Sequence, residues 1–107
     1  MLKKLQKVRD VLEEAAQVYV GTTDLGYALE KEEEGWLEFA ATKAAEIIAD
    51  INNMIYTDVG YAEYFAVHDK IMHICANMIG PSSQTVKDWL FRLIEADNAA
   101  IKDLVLF

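Results

Sequence analysis

The stretch Glu30–Phe39, EKEEEGWLEF, decides how many helices this chain forms. From Trp36 onward, Ala40, Ala44, Ile47, Ile51, Met54 and Ile55 recur at three- and four-residue intervals, which puts them on one helical face. Continued backward at about 100° per residue, that face takes in Leu25 and Leu29 but also Glu33. A carboxylate in the middle of a buried face loses its hydration with nothing in return. A break before Trp36 spares Glu33 and leaves a second helix of about 21 residues, which matches the length of the others. The break lengthens the preceding connection to about 15 residues, long for a bundle. A short helix near residues 24–31, anchored by Leu25 and Leu29, would fill that gap. One continuous helix from Leu25 stays the alternative.

Three other segments show the same period. Leu5, Val8, Leu12, Ala15 and Tyr19 mark a first helix over about residues 2–20, with Gly21 as its stop. A third runs over about 59–79, opened by Thr57 or Asp58 as cap and closed by Gly80-Pro81. Its stripe reads Tyr61, Tyr64/Phe65, His68, Met72, Cys75 and Ile79. The fourth starts after Ser82 or Ser83 and carries Val86, Leu90, Leu93, Ala100 and Leu104. With no strand-like alternation and little punctuation (one proline, five glycines), the expectation is a single all-α domain over residues 1–107. Its architecture is expected to be an antiparallel up-down-up-down four-helix bundle, with or without a short extra helix between helices one and two.

Composition narrows the function. The 107 residues are 53% hydrophobic and 26% charged, the balance of a globular chain. The net charge of -8 is unevenly spread, because Lys3, Lys4, Lys7 and Arg9 make the start basic while the remaining six bases face eighteen acids. Such a surface repels a phosphate backbone, which argues against direct nucleic-acid binding. Cys75 is the single cysteine, so no disulfide forms within the chain. The first ten residues lack the apolar core of a leader, and no apolar run approaches membrane-spanning length. A cytoplasmic location without membrane association is the expectation.

Known helical chemistries fail on spacing. Di-iron carboxylate bundles need Glu-x-x-His pairs, whereas Phe65 and Lys70 stand three residues before His68 and His73. Covalent haem needs two cysteines. Paired-carboxylate magnesium sites are approached by EEAAQ at 13–17 and EIIAD at 46–50, but the first lacks its last acid and the second has one residue too many. Glu30, Glu32, Glu33, Glu34 and Glu38 do not follow the alternating pattern of a calcium loop. No cofactor or metal is expected, and no catalytic residue is assigned.

Two features remain. Asp97 interrupts the fourth stripe and His68 lies on the third. Measured from the tight turn between those helices, they stand roughly 21 and 16 Å away, within about one turn of each other. That is close enough for a buried His68–Asp97 hydrogen bond; the alternatives are that a tyrosine or a Lys/Arg side chain satisfies Asp97, or that the stripe turns and exposes it. The second feature is the acid-rich surface. Glu30, Glu32, Glu33, Glu34, Glu38, Glu46 and Asp50, with Trp36 as an apolar anchor, would meet a basic surface on a protein partner. The expected function is a non-enzymatic interaction protein of the inhibitor, immunity or phage and mobile-element accessory type, by analogy of size, charge and helicity. The alternatives are a bundle holding a small ligand or metal between its helices, and a homodimeric scaffold joined through an apolar face or the tail Leu104–Phe107.

Overall fold

The computed structural model describes residues 2–16, 24–31, 36–55, 61–80 and 82–105. These form five helices, α1 (Leu2–Ala16), α2 (Asp24–Lys31), α3 (Trp36–Ile55), α4 (Tyr61–Met78) and α5 (Gln84–Val105), with no strand among the described residues. Of the features expected from sequence, Tyr19, Gly21, Glu32–Glu34, the Thr57/Asp58 cap and residues 106–107 lie outside the described residues. So do Pro81 and the side chains of Glu30, Trp36, Ile55, Tyr61, Leu104 and Val105.

The short helix exists. α2 spans Asp24–Lys31 and α3 Trp36–Ile55, with Glu33 between them and outside the described residues. Leu25 and Leu29, four residues apart and hence on one side of α2, are both buried. Through that side α2 packs on α5, α1 and α3. Among the described residues, α1 lies against α3 and α5, α3 against α4, and α4 against α5, while α1 and α4 do not meet. The four contacts close a ring around one core, in which Leu12, Leu29, Ile47, Ile71 and Leu93 are fully buried or nearly so. Burying each such side chain contributes about 1.5–3 kcal/mol relative to leaving it in water.

Only α4 departs from its expected face. Its buried residues are Tyr64, Val67, Ile71, Ile74, Cys75 and Met78. Phe65 is exposed, and His68, Met72 and Ile79 are half-buried along the margin. The apolar arc of the helix is broader than the face that is buried, so its own periodicity does not single out one face. Contact with α3 on one flank and α5 on the other centres the buried face on Val67, Ile71 and Ile74.

The turn from α4 to α5 is tight. Ile79 N–H donates to Cys75 O at 3.0 Å and Ser82 N–H to Met78 O at 3.2 Å, which satisfies carbonyls left open at the helix end. Ser83 caps α5, its Oγ accepting from Val86 N–H at 3.4 Å. Gly80 is not left-handed, and a β-carbon added there meets nothing within 4 Å. The stop therefore does not depend on a glycine-specific backbone. Gly80→Ala is expected to leave stability unchanged or raise it by about 0.4–1 kcal/mol, because alanine narrows the unfolded ensemble. A urea midpoint moved downward by the substitution would contradict this.

Candidate functional site

The acids expected to meet a partner fall on different parts of the fold. Glu38 is exposed on the first turn of α3, where a negative charge complements the helix dipole. It borders a shallow depression of about 300 Å³ with Phe39, Thr42 and Lys43. The Phe39 ring reaches across to His73 of α4, with centroids 6.2 Å apart. Glu30 belongs to α2, and Trp36 opens α3.

Glu46 and Asp50, four residues apart on α3, face α4, and Lys70 bridges them. Lys70 Nζ donates to Asp50 Oδ2 at 2.6 Å and stands 3.2 Å from Glu46 Oε1. Bonding to Asp50, then to Glu46, holds the Lys70 ammonium above the ordinary lysine pKa. Lys43 adds a longer contact to Glu46 at 3.8 Å. These acids are therefore partly neutralised from within the chain. The sequence carried a signal for the bridge: Lys70 stands on the polar side of α4, and Glu46 and Asp50 share one row of α3. What it lacked was the pairing of those two rows.

Beside the bridge runs an open groove of about 450 Å³ between α3 and α4. Asp50, Asn53 and Met54 line it from α3, and Glu63, Ala66, Val67 and Lys70 from α4. Each set recurs at three- and four-residue spacing, which is why the two rows face one another along the seam.

A second constellation ties α4 to α5. Asp97 is wholly buried, and both of its oxygens are engaged. Tyr64 Oη donates to Oδ1 at 2.8 Å, and His68 Nδ1 stands 2.6 Å from Oδ2. A carboxylate partner selects the tautomer in which Nδ1 carries the hydrogen. Phe65 flanks the His68 ring at 5.6 Å. Burial first, then the charge of Asp97 and its hydrogen bond, pushes the Tyr64 hydroxyl well above the usual tyrosine range. The tyrosine and the histidine thus both serve Asp97, where either one alone would have satisfied the expectation.

Cys75 is buried, and its thiol is pushed up to about 11 by desolvation and then by the charge of Asp97. Nucleophilic sulfur is the thiolate, so this environment suppresses reactivity and leaves Cys75 a packing residue. Among the described residues, no group of three or more His, Cys, Asp or Glu side chains could hold a metal ion. Nor is any described helix long and apolar enough to cross a membrane.

The fold and these two sites describe a compact all-helical domain with a buried Tyr–Asp–His network and an acid-rimmed seam. No protein-family model, curated protein or solved structure matches the chain.

Proposed function

We propose that this chain is a non-enzymatic, acidic helical interaction protein that docks a basic surface of a protein partner. The observation that supports it is the charge on the outer side of α3 and α4. Glu38, Glu46, Asp50, Glu63 and Asp69 reach solvent there against the two lysines Lys43 and Lys70. The acid-rich stretch Glu30–Glu34 leads directly into α3 along the chain and extends the same bias. The ring of helix contacts and the tight α4–α5 turn favour a four-helix bundle with α2 as an accessory element. Such a body is a rigid carrier for a charged face.

Electrostatic docking of this kind has two consequences. Affinity for a partner recovered from the source cells is expected to fall steeply as salt rises, since the screening length shrinks to about 3 Å at 1 M. Charge reversal of Glu32, Glu33, Glu34 and Glu38 together is expected to weaken binding by about tenfold or more, chiefly through slower association. Calorimetry across a salt series measures both. Binding that is indifferent to salt and to the reversal would remove this assignment.

A further inference from the structure

The groove between α3 and α4 combines features that an acidic surface alone does not have. Its lining is mostly apolar, with Met54, Ala66 and Val67 among it, while Asp50, Asn53 and Glu63 supply acceptor oxygens. Its volume of about 450 Å³ is too small for a helix and sufficient for one long side chain. The charge around it does not balance. Lys70 contacts Glu46 and Asp50, and Lys43 contacts Glu46, whereas Glu63 is exposed and has no ion-pair partner among the described residues. Apolar walls with an excess of acceptors fit an aliphatic stem that ends in a cation.

We infer that this groove receives one arginine side chain of the partner, and that Lys70 is the internal cation competing for its acids. The inference rests on the docking reading above and names where on that surface it acts. Arginine fits better than lysine. Its planar guanidinium has five donors and is weakly hydrated, so it can address Asp50, Asn53 and Glu63 while its stem lies on the apolar lining. Lys70 reaches Asp50 from its own helix and shows how an ammonium sits there. An entering guanidinium must share Asp50 with that ammonium or displace it. Lys70 therefore lowers affinity for every cationic visitor and leaves the groove to a ligand that gains more than one ion pair.

The test uses the full chain, labelled with ¹⁵N, and the blocked tripeptide acetyl-Gly-Arg-Gly-amide as probe. Its citrulline counterpart has nearly the same shape without the charge. Saturable shifts confined to amides of residues 50–54 and 63–70 are expected with the arginine peptide and not with citrulline. Lys70→Met removes the competing charge and keeps the stem, and should tighten binding about threefold or more. Glu63→Gln should weaken it by a similar factor. Both positions reach solvent, and circular dichroism verifies that each variant is folded. Equal response to the two peptides, no saturable response in the groove, or weaker binding by Lys70→Met would overturn the inference. A recovered partner that still binds in a salt-dependent way, equally to wild type and Glu63→Gln, would remove the groove but leave acidic docking standing. Loss of the salt dependence itself would remove both.

Discussion

Asp97→Ala is expected to destabilise the protein by about 3–5 kcal/mol, the loss seen when one partner of a buried charged network is deleted. That is a large share of the roughly 5–15 kcal/mol that holds a domain of this size together. Asp97 is fully buried and accepts from Tyr64 Oη while engaging His68 Nδ1. Without it, the buried Tyr64 hydroxyl has no acceptor, which alone costs about 1–3 kcal/mol, and a cavity opens between α4 and α5. Asp97→Asn should cost less, because His68 can switch tautomer and accept from the new amide. A double-mutant cycle with Tyr64→Phe isolates the network: strictly additive losses would mean the three groups do not act together.

The same network sets a response to alkali. Tyr64 and Cys75 both titrate higher in the folded chain than in the unfolded one. Their contribution is complete below the unfolded values, near 9 for the thiol and 10 for the phenol, and is lost as pH rises through the folded ones. Above about pH 9 the unfolded chain binds fewer protons than the folded chain, so stability falls with pH. Tyr64→Phe should flatten that decline above pH 10. An unchanged slope would show that Tyr64 ionises freely in the fold.

Trp89→Ala is expected to cost about 3–5 kcal/mol as well, by a different route. Trp89 is among the largest fully buried side chains, and its Nε1–H donates to Val11 O of α1 at 2.7 Å. Removing the ring empties the contact between α1 and α5 and withdraws that donor. Trp89→Phe refills much of the volume without the donor. Its expected loss is about 1 kcal/mol from the bond, plus a packing defect. Denaturant midpoints measured at constant slope separate the two variants. Equal losses for alanine and phenylalanine would show that the indole hydrogen bond, and not volume, dominates. Nearby, Arg92 pairs with Glu14 at 2.6 and 3.0 Å through two nitrogens, joining the same helices on the exposed side. Its solvent exposure keeps that pair to about 1 kcal/mol or less.

Much of the site is readable in the sequence, and the two misses have different causes. His68 and Asp97 could be matched because a tight turn lets height along two adjacent helices be compared. Tyr64, one turn from His68, was available to Asp97 on the same reasoning. Lys70 was not matched to Glu46 and Asp50, because α3 and α4 are joined through residues whose number does not set their relative rotation. Trp89 fell outside the stripe drawn through Val86, Leu90 and Leu93, although it lies one position from Leu90 and shares the buried side. Trp89 stands three residues after Val86 and four before Leu93, so it satisfies the same spacing as Leu90 and periodicity alone does not choose between them.

Periodicity and local chemistry alone determined that the chain is helical, and that a short helix anchored by Leu25 and Leu29 can precede the one opened by Trp36. They also placed a serine cap at the start of α5 and Asp97 on a buried stripe. These follow from the helical repeat and from the cost of burying a carboxylate without partners, both of which act within a few residues. Tertiary structure decided which side of α4 turns inward, since its apolar arc is broader than the face that is buried and contact with α3 and α5 selects the part that is covered. It also decided that Lys70 should bridge two acids expected to meet a partner, and that a groove with a mostly apolar lining should open beside them. Those results depend on how two helices are rotated against each other, and that rotation is set by packing the whole core at once.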